Sequence, residues 1–324
     1  MSDNKNKITQ ANQEFSFPRR DFLKYSAAAA AVAGAFSMGL PFGAMAAEAT
    51  PKPGGVLRLG LAGASTTDSK DPGSWVDTFT FVGFSAIYNT LTEIAVDGSA
   101  IPELAESWTS TPDARVWTFK LRQGVTFHNG KTLTADDVVA SIQHHLGEKS
   151  SSAAKTVLGD VAKVSANGSD SVVFELHSGN ADFTYVVADY HLVIMPSKDG
   201  VPDWQAGVGT GGYRLKDFEP GVRMTLERSP DYWKAGRAHF AGAELVAIGD
   251  GAARINALVT GQVDVINKVD LKTVALLKRN PNLVIEETKG AQHYTFPMLT
   301  DSQVFQNNDV RLAMKHAINR ETLL

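Results

Sequence analysis

Alternating apolar and polar residues mark the most informative stretch of the chain, residues 116–142. Apolar side chains occupy every second position over 117–121 and again over 125–127, which predicts strands with one buried face. Asn129-Gly130 then supplies residues that tolerate positive φ, as a tight hairpin turn requires. The pattern therefore predicts a strand followed by a tight hairpin.

A helix is predicted to begin directly after this hairpin. Thr134 and Asp137 have the spacing of a capping box, in which the hydroxyl caps a backbone N–H and the carboxylate reaches back. Two further helices are predicted over 252–260, where Gly261 fits a C-terminal cap, and over 271–278.

Turn residues between alternating segments predict further hairpins. Asn167-Gly168 predicts one between residues 161–165 and 172–176, and residues 219–221 predict another between 213–215 and 222–226. The mixture of hairpins and strand–helix–strand units predicts an α/β protein with mixed sheets. Single strands are predicted over 56–61, which reads as buried, and over 263–266, 283–286 and 294–299.

Residues 65–83 are predicted to form a loop, because this segment is polar and contains glycine. Its aromatic residues Trp75, Phe79 and Phe81 suit a surface that faces a ligand. Packing of these rings against the core is the alternative.

Composition limits the chemistry that the chain can perform. The chain is 43% hydrophobic and 20% charged, with a formal net charge of −4, which is typical of a globular protein and gives no support to nucleic-acid binding. It contains no cysteine, which excludes disulfides, thiolate metal sites and thiol nucleophiles.

The first residues read as an export signal. Arg19 and Arg20 lie in PRRDFLK, which matches the twin-arginine export pattern, and an alanine-rich apolar run follows over 25–46. A transmembrane anchor is the alternative, but the run is rich in Ala and Gly and is interrupted by Pro41. We predict cleavage after Ala46, export by the twin-arginine translocase, and a periplasmic protein without the lipidated cysteine of an anchored one.

Patterns for catalysis or metal binding are weak. Residues 207–212 satisfy G-x-G-x-x-G, but the segment that follows alternates like a strand, whereas a dinucleotide site needs a helix there. His144 and His145 are neighbours on a predicted helix, so their side chains point about 100° apart and cannot easily share a metal. We predict no catalytic residue, no metal site and no cofactor.

Six motifs lie in order along the chain: IYNTLTEIAVDGSAIPELAESW from Ile87, LRQGVTFHNGKTLTADDV from Leu121, GTGGYRL from Gly209, LERSPDYWK from Leu226, RINALVTGQVDV from Arg254 and NNDVRLAMKHAINRETLL from Asn307. They resemble family 5 of the extracellular solute-binding proteins of ABC importers, the group that binds peptides, opines and nickel. Gly212 and Ser229 replace a proline and an asparagine that are usual in that family.

The resemblance implies a two-lobed α/β periplasmic binding protein of type II, with an extra small domain on the first lobe, that closes about a hinge. The implied organisation is a twin-arginine signal over 1–46, a first lobe over 47–91 and 194–265, a small accessory domain over 92–193, and the beginning of a second lobe over 266–324.

The last predicted helix lies inside the second lobe in this family. Asp309 is expected to cap this helix over 310–318, and no Gly, Asn or Pro stop signal ends the chain at Leu324. The sequence is therefore expected to be a fragment with an incomplete second lobe.

The resemblance also implies a function. The protein is expected to capture a peptide, an opine or a similar small polar solute in the cleft between the lobes and deliver it to an ABC permease in the inner membrane. It is expected to be a monomer that catalyses no reaction. Nickel or haem binding within the same family is the alternative, and a twin-arginine-exported enzyme or metalloprotein is the rival from another class.

Candidate ligand-binding residues follow from position relative to the family motifs. The wall of the cleft on the first lobe is expected to include Thr80, Phe81 and Val82. A second patch contains Tyr190 and His191, where His191 either hydrogen-bonds a ligand carboxylate or is an ordinary surface histidine. Residues 294–298 are expected near the entrance of the second lobe, with a core strand as the alternative.

Overall fold

The computed structural model describes residues 50–148, 150–287 and 295–323 of the chain. Its strands are β1 (Val56–Leu61), β2 (Thr92–Ile94), β3 (Ala100–Pro102), β4 (Ala105–Ser110), β5 (Val116–Leu121), β6 (Val161–Ala166), β7 (Ser171–Leu176), β8 (Ser197–Lys198), β9 (Val201–Pro202), β10 (Tyr213–Glu219), β11 (Arg223–Arg228), β12 (Gly242–Ala247) and β13 (Val265–Ile266). Its helices are α1 (Thr78–Ser85), α2 (Ala135–Leu146), α3 (Phe183–Val186), α4 (Gly251–Val259), α5 (Leu271–Leu277), α6 (Asn308–Ala317) and α7 (Arg320–Leu323).

The larger sheet has the strand order β10-β11-β12-β1-β13. Strand β1 pairs in parallel with β12 and β13, whereas β10, β11 and β12 are antiparallel neighbours. This mixed sheet confirms the predicted α/β class. The prediction of a buried β1 holds only at the carboxyl end of the strand: Leu61 is buried, Leu59 is half-buried and Val56 is exposed.

A first hydrophobic core lies between this sheet and α1. Trp75 and Phe79 are 0% exposed, and the Trp75 ring stacks on Phe84 with centroids 4.6 Å apart. The loop predicted over 65–83 is therefore wrong at its end, where α1 begins at Thr78. The cause is an N-cap that the pattern of apolar residues did not reveal: the Asp77 carboxylate accepts the Thr80 N–H at 2.9 Å.

A second, separate hydrophobic core belongs to residues 91–194. Its sheet is antiparallel with the order β4-β5-β7-β6, and the apolar face of α2 packs on it. Phe119, Phe174 and Phe183 meet in this core with ring centroids 5.2 to 6.2 Å apart. The alternation predicted for 117–121 is confirmed, because Trp117, Phe119 and Leu121 are the buried residues of β5.

The predicted capping box and tight turn are both present. The Thr134 N–H donates to Asp137 Oδ2 at 3.0 Å, and α2 begins at Ala135. Gly130 has φ +85° and its N–H donates to the Phe127 carbonyl at 2.8 Å. The strand pairing beside this turn is shorter than predicted, since one bridge between Thr126 and Thr132 is all that the described residues show.

The structure confirms the other two predicted hairpins and the two helices predicted over 252–260 and 271–278. Strands β6 and β7 pair around Gly168, and β10 and β11 pair around Gly221, both glycines having positive φ. Helix α4 ends before Gly261, which has φ +74°, and α5 covers the predicted segment. Each of these elements is specified by residues close together in the chain.

Several predictions after residue 262 are wrong. Residues 283–286 and 295–299 pair with no strand among the described residues, and Val284 is 79% exposed. A strand needs a hydrogen-bonding neighbour, which apolar alternation cannot supply. The strand predicted over 263–266 is shortened to β13, and the cap of α6 is Asn307 rather than Asp309, because the Asn307 side chain accepts the Asp309 N–H.

The glycine-rich segment over 207–212 lies very close to the backbone of residues 86–87. A Cβ on Gly209 would lie 2.2 Å from the Ile87 carbonyl oxygen, and one on Gly211 would lie 2.5 Å from the Ala86 carbonyl oxygen. The Gly211 N–H donates to Ile87 O at 2.7 Å, and β10 follows. A strand and not a helix follows this segment, as the sequence predicts, so it lacks the helix that a dinucleotide site requires.

Candidate functional site

The candidate site lies where parallel strands end. The carboxyl ends of β1, β12 and β13 share one edge of the larger sheet, which is where ligands bind in open α/β sheets. The loop after β1 contacts the start of α1, since a Cβ on Gly63 would lie 3.2 Å from Asp77 Cβ. The start of α1 and residues 188–191 form what we call the first wall.

Thr80 and Val82 support this wall from within. Thr80 is buried, and its hydroxyl donates to the Asp77 carbonyl oxygen at 3.1 Å. Val82 is half-buried and packs against the first core. The structure therefore gives both residues contacts inside the protein.

Phe81 and Tyr190 form the exposed part of the wall. Their ring centroids are 5.2 Å apart at 40°, although the two residues are far apart in the chain. Tyr190 is 36% exposed, and Phe81 is half-buried. The structure thus brings one residue of each predicted patch into direct contact, as a pair of aromatic faces.

His191 holds this segment in place from the inside. It is 6% exposed, its Nε2 donates to the Trp75 carbonyl oxygen at 2.7 Å, and its Nδ1 lies 2.6 Å from Asp189 Oδ1. The surface-histidine alternative is wrong, because His191 is buried. Both ring nitrogens have partners in the protein, so His191 would reach a ligand only by giving one of them up.

The wall carries an excess of carboxylates. Burial first, and then the charges of Asp189 and Asp77, raise the pKa of Tyr190. Burial would also raise the pKa of Asp189, but hydrogen bonds from His191 outweigh it, so the pKa falls below the ordinary value. Burial raises the pKa of Asp68, to which the nearby Asp77 adds. Such a surface suits ammonium groups and N–H donors.

A group of histidines and aspartates lies beside the wall. His144 Nε2 is 2.8 Å from Asp71 Oδ1, whereas His145 Nδ1 is 2.7 Å from Ser152 Oγ. The two neighbouring histidines thus have different partners, as their spacing on α2 predicts. Over residues 50–148, 150–287 and 295–323, no group of three or more His, Cys, Asp or Glu side chains could hold a metal ion.

His145 is expected to make the fold sensitive to acid. Burial lowers the pKa of His145 from 6.5 to about 4. Between these values the unfolded chain binds a proton that the folded ring does not, so stability falls as the pH falls through this window. We expect a loss of about 2 kcal/mol between pH 7 and pH 5 from this group.

Urea unfolding at the two pH values checks this expectation. His145→Asn keeps a polar atom for Ser152 but does not titrate, so its stability should change less between pH 7 and pH 5 than that of the unmodified protein. His177→Asn, at an exposed position, should behave like the unmodified protein. An unchanged pH dependence in His145→Asn would contradict the assignment.

Sequence reasoning missed Asp77, which fixes the start of the wall. The signal was present, because Asp77 directly precedes an apolar run long enough for two helical turns. It also missed the link between Trp75 and His191, for which no local signal exists, since the two residues are 116 positions apart.

Comparison with known proteins identifies the family. The profile of the bacterial extracellular solute-binding proteins, family 5 Middle, matches residues 99–324, which is more than half of the chain. The chain belongs to this family. Its members are binding proteins for transport, and the mixed sheets described above are part of their two-lobed periplasmic binding protein fold.

Three similar proteins illustrate the range of this solute-binding family. A probable peptide ABC transporter periplasmic-binding protein of Sinorhizobium fredii is 25% identical over 94% of the chain and 59% of its own length. The binding protein AgaA of A. tumefaciens R10, in complex with agropinic acid, is 30% identical over 70% of the chain and 46% of its own, with a TM-score of 0.64. DppA of Helicobacter pylori, in complex with the peptide STSA, is 26% identical over 84% and 58%, with a TM-score of 0.70.

The chain spans about half the length of these relatives, between 46% and 59%. Its residues 16–36 match the profile of the twin-arginine translocation signal, which confirms the predicted export route. The signal and the family together assign the protein to the periplasm. Arg19, Arg20 and Ala46 lie outside the described residues, as does Tyr294. Within the described residues, no helix is long and apolar enough to cross a membrane.

Proposed function

We propose that the intact protein captures a peptide or a similar small polar solute, such as an opine, in a cleft between two lobes. It then delivers the solute to an ABC permease in the inner membrane and catalyses no reaction. The observation that carries this proposal is the aromatic pair Phe81–Tyr190, which is partly exposed on the first wall. The similarity to a probable peptide-binding protein, to AgaA in complex with agropinic acid and to DppA in complex with a peptide supports the choice of solute.

In the proposed domain organisation, each hydrophobic core belongs to a different domain. Residues 47–91 and 194–265 form the first lobe, in which the first core lies, and residues 92–193 form the accessory domain, which coincides with the second core. Residues 266–324 begin the second lobe. Among the described residues after 270, few side chains are buried.

The charges of the first wall favour a ligand that donates hydrogen bonds. Asp77 and Asp189 flank the ring of Tyr190 closely enough to raise its pKa after burial has done so. An ammonium group or a row of peptide N–H groups would be attracted here, and apolar side chains of the solute would pack on Phe81. In this proposal Thr80, Val82 and His191 hold the wall in shape.

The alternative functions predict that the protein binds a different kind of ligand. A nickel- or haem-binding member would respond to a metal chelate or to haem, and an exported enzyme or metalloprotein would carry a cofactor. No contact in the described residues favours either of them, so we propose neither. We also propose that the protein is a monomer and that the twin-arginine translocase is its partner during export.

Thermal unfolding of the full-length gene product against a solute library tests the proposal. A peptide or opine at about 100 times its Kd should add about 2.7 kcal/mol of stability and raise the melting temperature. Metal chelates and haem should leave it unchanged. A clear shift with a nickel chelate or with haem, and none with peptides or opines, would reverse our choice of solute.

A further inference from the structure

A cavity that Tyr190 also lines lies between the accessory domain and the first lobe. It has a volume of about 390 Å³, which is within the range of small-molecule sites. Glu93 and Glu103 line it from the accessory domain, and Tyr213, Lys234 and Arg237 line it from the first lobe.

The floor of this cavity carries an excess negative charge. Lys234 forms ion pairs with both Glu93 and Glu103, the latter at 3.2 Å. Glu103 is buried and also accepts a hydrogen bond from Asn89 at 2.7 Å. The two carboxylates share a single ammonium group, so one negative charge is left unbalanced within this group of three side chains. A cationic group that enters the cavity would relieve this imbalance.

Arg237 supplies the opposite charge on the same cavity. It is exposed, and its guanidinium makes no hydrogen bond or ion pair among the described residues. A free guanidinium is suited to bind a carboxylate through two parallel hydrogen bonds. The cavity therefore offers a carboxylate-rich floor and a separate, available cation.

Tyrosine rings form much of the remaining surface. Tyr190, Tyr213 and Tyr232 all line the cavity, and the Tyr190 hydroxyl makes no hydrogen bond among the described residues. Aromatic faces attract cations and pack against apolar side chains. If the ion pairs served only to hold the two domains together, the tyrosine rings and the unpaired guanidinium of Arg237 would have no role in the cavity.

We propose that this cavity binds a free amino acid, with its ammonium group toward Glu93 and Glu103 and its carboxylate on Arg237. This site is separate from the proposed solute cleft. It shares Tyr190 with the first wall, but Phe81 and Asp77 do not line it. Occupancy of this cavity would join the accessory domain to the first lobe through the ligand.

Calorimetric titration of the full-length gene product with L-leucine tests the proposal. L-leucine should bind, whereas L-leucinamide, which lacks the carboxylate, and N-acetyl-L-leucine, which lacks the ammonium group, should each bind at least ten-fold more weakly. Arg237→Gln should weaken L-leucine binding at least ten-fold. Arg279→Gln, at an exposed position away from the cavity, should leave it unchanged.

Phe81→Ala separates this site from the cleft. It should retain L-leucine binding while it weakens peptide capture, so the two proposals can fail independently. The amino-acid site is contradicted if L-leucine does not bind at millimolar concentration, or if leucinamide binds equally well. Loss of L-leucine binding in Phe81→Ala but not in Arg237→Gln would also contradict it.

Discussion

Asp137→Asn is expected to lower the free energy of unfolding by about 3 kcal/mol. The Asp137 carboxylate is fully buried and receives hydrogen bonds from Thr134 and from the N–H and hydroxyl of Ser197, at 2.6 to 3.0 Å, as well as an ion pair with Lys131. Asparagine offers one acceptor oxygen, and its amide group would face donors. Several partly buried donors would then lose their acceptor, and the start of α2 would be disturbed.

The neighbouring Asp136 provides a matched control. It lies in the same helical turn but is exposed, so Asp136→Asn should change the free energy of unfolding by less than about 0.5 kcal/mol. Urea unfolding followed by circular dichroism measures both variants. Equal losses in the two variants would show that the burial of Asp137 is not what matters.

Arg254→Met is expected to cost about 3 kcal/mol as well. Arg254 is 5% exposed, and its guanidinium donates to the carbonyl oxygens of Ile248 and Gly249, both at 2.8 Å. It also donates to Asn267 and Lys268, at 3.3 and 3.2 Å. It therefore ties together the chain segments that leave β12 and β13, on either side of β1. Methionine keeps the apolar stem but leaves these carbonyl oxygens without their donors.

Arg254→Lys should lose less stability than Arg254→Met, because an ammonium group can still donate to some of the carbonyl oxygens. Arg279→Met, at an exposed position, should have little effect. The same urea experiments test this order. If Arg254→Met were as stable as Arg279→Met, the strand ends would not depend on this side chain.

The parts of the fold that the sequence predicts are those with local causes. The capping box of Thr134 and Asp137 spans three residues, and the turn at Gly168 lies between strands that pair within the same hairpin. The sequence pattern did not predict the start of α1, although its cap is also local. The polar residues before Asp77 indicate a loop, and the apolar run after it is short.

The candidate site was harder to predict, because its contacts join distant parts of the chain. Phe81 and Tyr190 were each proposed from their position relative to the family motifs, yet nothing in the sequence indicates that their rings touch. The bond from His191 to Trp75 and the pair of Lys234 with Glu93 likewise depend on how two cores are assembled. Residue type and spacing do not contain that information.

In the proposed function, the first wall holds a solute through Phe81 and Tyr190. The most direct measurement is mass spectrometry of the small molecules released when the full-length gene product, purified natively from the periplasm, is unfolded. We expect the unmodified protein and Tyr185→Ala, a control at an exposed tyrosine outside the wall, to release a peptide or similar polar solute. The Phe81→Ala/Tyr190→Ala double variant should release at least ten-fold less. Equal release from the double variant and the control would contradict the claim.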